Sequence, residues 1–175
     1  MRVVAGQLGG RRLTAPSGRG TRPTSDRVRE ALFSILGPLG GTRVLDLFAG
    51  SGALGIEGLS RGAQHATFVD RDRRATAAIE RNLAALELDM AIVHRRDALA
   101  FLSSASGPWD LVFLDPPYDE APAWGAALSG ALPAVISPDA RIVTESDTRF
   151  SLLLDLPLEV DRVYGDTRSA IYRGS

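Results

Sequence analysis

From Arg43 onward the chain alternates short, continuously apolar segments with segments whose apolar residues recur every three or four positions. Unbroken apolar runs are the signature of parallel strands covered on both faces, and the amphipathic segments between them read as crossover helices. The alternation predicts an α/β fold: a mostly parallel sheet with helices on both faces. Strands are placed at 44–48 (Val44-Leu45-Asp46-Leu47-Phe48), 66–69, 91–93, 110–114 and 140–145. Two weaker ones at 158–164 and 168–173 point to an antiparallel C-terminal edge. Helices run through Leu54, Ile56 and Leu59, from an Asp72 cap through Ala75, Ala78, Ile79, Leu83 and Leu86, and across 97–102 and 122–131. An earlier helix carries Val28, Ala31, Leu32, Ile35 and Leu36, with Thr24 or Ser25 as its cap and Gly37-Pro38 as its stop. Before it, 2–5 and 11–14 read as a small hairpin around a Gly-rich loop.

A length of 175 residues suits one domain and leaves no room for a separate recognition domain. The chain has no cysteine and two histidines, His65 and His94, which are far apart, so thiolate zinc sites, Cys nucleophiles and a metal centre are not expected. No apolar run is long enough to span a bilayer, and the first residues lack a signal-peptide core, so a cytoplasmic protein is expected. The net charge of -1 conceals an asymmetry, because residues 1–29 hold seven arginines against one acid, Asp26, and the remainder is acidic. Arg2, Arg11, Arg12, Arg19 and Arg22, set among Gly, Pro, Ser and Thr, suit phosphate oxygens and are the candidate nucleic-acid contacts. A solvated basic tail is the alternative.

Ligands of such sheets bind beyond the carboxyl ends of the strands, where strand order reverses. Four strand ends carry polar or Gly-rich signals: Gly50-Ser51-Gly52, Asp70, Asp97 and Asp115-Pro116-Pro117-Tyr118. Gly50 to Gly55 matches G-x-G-x-x-G, with Asp70 twenty residues after Gly50, so a nicotinamide dinucleotide is one reading. Asp46 opposes it, since a carboxylate there would repel a pyrophosphate and suits a ligand with cationic centres such as S-adenosylmethionine. A ligand-free turn is a third reading of the loop. Asp70 beside Arg71 is a candidate acceptor for ribose hydroxyls. Asp97 before Ala98 is either an acceptor for an adenine amine or a helix cap.

Asp115-Pro116-Pro117-Tyr118 follows the most apolar strand. Two prolines fix the backbone and remove two N–H donors, which leaves an acceptor-rich pocket. Asp115 and the Pro116 carbonyl can each take one N–H of a planar exocyclic amine, and Tyr118 can stack on the base that carries it. A dehydrogenase has no use for this arrangement.

Asp46-Leu47-Phe48-Ala49-Gly50-Ser51-Gly52 resembles the first cofactor motif of class I S-adenosylmethionine-dependent methyltransferases, and Asp115 to Tyr118 resembles the catalytic (Asp/Asn)-Pro-Pro-(Tyr/Phe) motif of the amino-methyltransferases. Arg2 to Gly6, Gly9 to Leu13, Arg22 to Phe33 and Gly50 to Ala63 resemble the bacterial 16S ribosomal RNA guanine-N2 methyltransferase family. That resemblance implies a Rossmann-like seven-stranded sheet with antiparallel last strands, S-adenosylmethionine as cofactor, and monomeric behaviour. It implies as partner the 16S rRNA of a 30S subunit or assembly intermediate, methylated on a guanine N2 near the P site. It also divides the chain into a basic hairpin extension over 1–22 and a methyltransferase domain over 23–175, and adds Thr24 and Asp26 as contacts at the cofactor's methionine end. Phe48, Ser51, Arg71 and Ala98 complete the expected cofactor contacts. A DNA amino-methyltransferase and a catalytically silent RNA-binding protein stand as further alternatives.

Overall fold

The computed structural model describes residues 1–17, 25–117 and 119–174. Five strands, β1 (Arg43–Leu47), β2 (His65–Asp70), β3 (Ala91–Arg95), β4 (Trp109–Leu114) and β5 (Ile136–Asp147), run parallel, and β6 (Leu158–Tyr164) and β7 (Thr167–Arg173) close the sheet antiparallel in the order β3-β2-β1-β4-β5-β7-β6. After β3 the chain returns to the other side of β1, so strand order reverses between β1 and β4. Asp46 pairs with Phe113 and Leu47 with Leu114 across that junction, which sets Asp115 two residues beyond the partner of Asp46 at the switch point.

Successive residues of one strand enter two different cores, which is why the strands read as unbroken apolar runs. Val44, Phe68, Phe113 and Val143 face α1 (Asp26–Leu36), α2 (Ala53–Ser60) and α3 (Arg73–Ala85), where Phe33, Ile56 and Ile79 meet them. Leu45, Leu47, Val112 and Ile142 face α4 (Ala98–Leu102) and α5 (Ala121–Ala131), with Phe101, Leu102 and Leu128. Helices cover both faces as expected, and on the second face coverage stops short of the β3 edge. The five residues of α4 make little more than one turn, so the far edge stays open and Ile92 of β3 is 49% exposed.

Two local expectations change. The stripe read on α1 includes Ile35, which is exposed, while Arg29 on the same helix is fully buried. The Arg29 Nη2 donates to the Arg2 carbonyl and to Asp26 Oδ1, both at 2.7 Å, so this helix packs a guanidinium against the N-terminal segment. Ser25 is the cap, its Oγ accepting from Val28 N at 3.3 Å, and Thr24 lies outside the described residues.

The two segments read as hairpin strands pair, but through one bridge, Arg2 with Arg12. Side chains of the domain take the place of a longer ladder. Glu57 of α2 accepts from Val4 N (2.7 Å) and Ala5 N (3.0 Å), Ser60 Oγ accepts from Leu8 N (2.9 Å), and Asn82 of α3 exchanges hydrogen bonds with Thr14. Val3 and Leu13 are buried in the core of that face. Gly6, at φ 81°, lies so close to α2 that a Cβ there would meet the Ser60 carbonyl oxygen at 2.0 Å. Gly6→Ala is therefore expected to cost about 1–3 kcal/mol through overpacking. Since about 1 kcal/mol moves the melting point of a chain this size by roughly 2–4 °C, thermal denaturation should show a fall of several degrees. An unchanged melting point would mean that the hairpin is not seated on α2.

Candidate active site

Each carboxyl end near the switch point places an acid above the apolar strand that precedes it. Asp46 is 2% exposed, and its Oδ2 accepts from Gly55 N in the first turn of α2 at 2.9 Å. Burial pushes its pKa up to about 8; the Gly55 N–H opposes the rise and the charge of Asp70 adds to it. The acid is thus protonated at neutral pH with nothing bound, which amends the sequence argument. Charge repulsion alone does not turn a pyrophosphate away from a neutral carboxyl. A narrower objection remains: a dinucleotide uses the free N–H groups at the start of this helix, and Asp46 already occupies one of them, that of Gly55.

Between β1 and α2 the chain turns through left-handed conformations at Phe48 (φ 62°), Gly50 (φ 58°) and Gly52 (φ 76°). A phenylalanine in this region is under strain. Its ring is held edge-on to Trp124 of α5, with centroids 4.9 Å apart. Asp70 holds the loop from the other side, accepting from Gly50 N at 2.9 Å and from Asp72 N at 2.8 Å. Burial raises its pKa despite the two N–H groups. A carboxylate has about four acceptor sites, so lone pairs remain for further donors.

Phe48, Asp70, Arg71, Asp97 and Ala98, expected to meet one cofactor, line one small cavity. Pro117 and Trp124 close it, with Val69 and Arg96 behind. The Arg71 Nη2 donates to Glu120 Oε1 at 2.7 Å, which ties the β2 loop to the approach of α5. Asp97 is a cap of α4, its Oδ1 accepting from Leu99 N (3.0 Å) and Ala100 N (3.1 Å). The cap reading of this residue therefore holds, and its second oxygen stays available to the cavity.

Asp115 stands at the end of β4, and its pKa is driven well above the ordinary carboxylate value by burial first, then by the charges of Glu145 and Asp46. Glu145, two residues before the end of β5 and 3% exposed, was not among the expected residues. Leu114 pairs with Thr144, so Asp115 and Glu145 are the next residues along, and three acids crowd the ends of β1, β4 and β5. The Pro116 carbonyl receives no hydrogen bond from a described residue. The Pro117 carbonyl differs from expectation: it accepts from Glu120 N at 3.0 Å and Ala121 N at 3.1 Å and so starts α5. Tyr118 lies outside the described residues.

The N-terminal segment borders this site. Asn82, which binds Thr14, also donates to the Ser51 carbonyl at 3.0 Å, and Ser51 Oγ donates to Met1 Sδ at 3.3 Å. Asp26, expected at the cofactor, is held by Arg2 at 2.8 Å and Arg29 at 2.7 Å; the hydrogen bond from Arg2 first, then that from Arg29 and the two charges, lower its pKa against a smaller rise from burial. Arg2 is thus partly committed to Asp26, and Arg11 Nη2 donates to the Ala85 carbonyl at 3.0 Å. No described side chain bonds Arg12. Arg19 and Arg22, with the expected boundary between 1–22 and 23–175, lie outside the described residues.

Comparison with known proteins gives one consistent answer. The family model described as "Conserved hypothetical protein 95" matches residues 1–173. A Bacillus subtilis protein, YlbH, provisionally named an rRNA methyltransferase, is 42% identical over 99% of this chain and 98% of its own. The Escherichia coli K12 protein named ribosomal RNA small subunit methyltransferase D is 45% identical over 67% of this chain, a match spanning 60% of that relative. Among solved structures, yhhF of Escherichia coli, provisionally described as a methyltransferase, superposes with a TM-score of 0.83 at 35% identity, covering 100% of this chain and 98% of that one.

Proposed function

Because the chain belongs to the family described as Conserved hypothetical protein 95, with relatives named as rRNA methyltransferases, we propose that it transfers a methyl group from S-adenosylmethionine to the exocyclic N2 of a guanine in 16S rRNA. The observation that carries this reading is the juxtaposition at the switch point: an acid-and-carbonyl acceptor pair, Asp115 and Pro116, beside a cavity lined by Phe48, Asp70 and Asp97. S-adenosylmethionine, when bound, supplies an electrophilic methyl on a cationic sulfur. The donor set fits it. Asp70 offers lone pairs to the two ribose hydroxyls, the free oxygen of Asp97 with the neighbouring Ala98 suits the adenine edge, and Phe48 with Trp124 forms an apolar wall. Gly50 and Gly52 let the Ser51 backbone approach the ligand, and Asp46 gives up its proton to balance positive charge. Thr24 and Asp26 are assigned to the methionine end, and Arg71 to the rim.

On the acceptor side, Asp115 and the Pro116 carbonyl each take one N–H of the amine, which turns its lone pair toward the methyl, and Tyr118 stacks on the extruded base. Pro117 keeps the peptide rigid between them. Alignment of two bound reactants supplies most of the acceleration, an effect worth about 7–11 kcal/mol, and solvent takes the proton after transfer. Arg2, Arg11, Arg12, Arg19 and Arg22 meet RNA phosphates. The substrate is the 30S subunit or an assembly intermediate, and the protein acts as a monomer in the cytoplasm. Among the described residues no helix is long and apolar enough to cross a membrane.

The cofactor assignment is tested by calorimetric titration with S-adenosylhomocysteine and with NAD, of which only the first is expected to bind. Asp70→Ala should weaken S-adenosylhomocysteine by one to two orders of magnitude, the loss of about 1.5–3 kcal/mol of charged hydrogen bonding. Parental affinity in that variant would remove Asp70 from the ribose.

A further inference from the structure

The short helix α4 leaves a groove of about 650 Å³ on the second face of the sheet, over β1, β2 and β3. It runs along the strands from Arg43 and His65 at the amino ends of β1 and β2 to His94 and Arg96 at the carboxyl end of β3, and neither Asp115 nor Pro116 lines it. Among the described residues, Arg96 alone lines both the groove and the cofactor cavity. Its guanidinium is fixed by the Ser104 Oγ (2.9 Å) and the Ala100 carbonyl (2.8 Å), so it forms a wall between the two.

The chemistry of the lining is one-sided. Arg43, His65, His94 and Arg96 contribute to it, and no carboxylate does among the described residues. These groups form two clusters, each with one arginine; burial and then the Arg43 charge lower the His65 pKa, so that ring serves as a neutral hydrogen-bonding group. Arg43 and His65 are register partners at the start of β1 and β2, whereas His94 pairs with Val69, four residues further along β2, and Arg96 follows His94. At about 3.3 Å per residue the two clusters are roughly 13 Å apart. Between them lies an apolar floor with Ile92 and Phe101, and Met90 at the rim is 55% exposed. Two buried polar atoms at the groove have no hydrogen-bond partner among the described residues: the donor Trp109 Nε1, in a residue only 4% exposed, and His65 Nδ1.

We infer that this groove is a second RNA-binding site, which holds a short single-stranded stretch of the substrate with phosphates at the two basic clusters and a base on the apolar floor between them. The inference rests on the rRNA reading and extends it to a surface remote from the methylated base. The separation of the clusters exceeds what one phosphate can bridge, which favours a strand over a mononucleotide. The unpartnered Trp109 indole N–H and the two arginines favour a ligand rich in acceptors over an apolar helix, and the absence of acids among the described lining residues removes the repulsion that RNA would meet. Bases stack on apolar and aromatic side chains with little sequence preference, so the site adds grip without choosing the guanine.

The test uses the full chain. In a Trp124→Phe background Trp109 is the single tryptophan, and a short single-stranded oligouridylate should change its fluorescence, with uridine monophosphate at equal nucleotide concentration far weaker. Ile92→Glu, at an exposed position, should weaken oligouridylate at least tenfold. Arg43→Gln with His94→Gln should weaken oligouridylate and flatten the slope of log K against log salt by about 0.7, the loss of one arginine–phosphate contact. Both variants should raise KM for 30S particles and leave kcat, the melting point and S-adenosylhomocysteine affinity at parental values. Silent Trp109 fluorescence, or parental RNA affinity and KM in both variants, would overturn the inference while leaving the methyltransferase reading intact. So would a response to oligoglutamate in place of oligouridylate. A parental protein that methylates no RNA would overturn both.

Discussion

Asp115→Ala is expected to lower kcat for RNA methylation by about 100- to 1,000-fold, the loss found when a preorganised polar group facing the reacting atoms is removed, equivalent to roughly 2.7–4 kcal/mol. The position explains the size. Asp115 ends the buried strand β4 beside the strand reversal, and the two prolines after it leave the chain little freedom to supply another acceptor. Affinity for S-adenosylhomocysteine should stay within about fivefold, because the ribose and adenine contacts are assigned to β2 and α4. Asp115→Asn keeps a carbonyl oxygen at the same place and should recover part of the rate. It should also lose the part of the pH dependence that comes from ionising a carboxyl crowded by Glu145 and Asp46. Single-turnover methylation across pH separates the variants, and parental rates in both would mean that the acceptor site lies elsewhere.

The second large effect concerns protons. With its pKa near 8 in the unliganded protein, Asp46 must lose a proton to face a cationic ligand, so S-adenosylmethionine affinity should rise with pH and level off above about 8. The rise approaches tenfold per pH unit for one proton released. S-adenosylhomocysteine, which lacks the sulfonium, should show a shallower rise. Calorimetry in buffers of different ionisation enthalpy reads the released proton directly. Stability runs in the opposite sense. Between the ordinary aspartate value of 3.8 and about 8 the folded state binds a proton that the unfolded chain has lost, so the unliganded protein loses stability as pH rises through that window. Asp46→Asn removes this contribution. Its melting point should fall less between pH 5 and pH 8 than the parental one, while its S-adenosylmethionine affinity at pH 8 drops by roughly 10- to 100-fold. Parallel melting curves and a pH-independent parental affinity would show that Asp46 is neither protonated nor opposite the cationic centre.

The acids at the ends of β1, β2 and β4 were legible because each sits in or just after an apolar run that only a buried strand explains, and a charge placed there has few structural uses; Asp97 instead follows the half-exposed β3 and caps α4. Glu145 escaped notice for a local reason. Strand β5 continues past it through Ser146 and Asp147, so Thr144-Glu145-Ser146-Asp147 reads as the polar end of a strand when its depth is unknown. Asn82 and Arg29 sit in amphipathic helices at positions that composition assigns to solvent. Their burial comes from the N-terminal segment folded over them, a long-range contact with no periodic trace. The same contact shortened the expected hairpin ladder, because Glu57, Ser60 and Asn82 provide hydrogen bonds that a partner strand would otherwise supply. The open groove beside α4 was equally hidden. Sequence showed a helix in that place, and the consequence of its being one turn long appears only when the width of the sheet is known.

The arrangement also separates the cofactor readings on geometry. In a dinucleotide site the first turn of the helix after β1 points free N–H groups at phosphate, whereas here one of them, Gly55 N, is bonded to Asp46. A DNA amino-methyltransferase shares the chemistry of Asp115 and Pro116 and is separated from the RNA reading by substrate alone. The most direct measurement is therefore transfer of a tritiated methyl group from S-adenosylmethionine to 30S particles, naked 16S rRNA and DNA, all from a strain lacking the protein, followed by nucleoside analysis. The account predicts label in the small-subunit RNA, recovered as N2-methylguanosine and lost in Asp115→Ala. Label recovered from DNA, or in a nucleoside other than N2-methylguanosine, would contradict it.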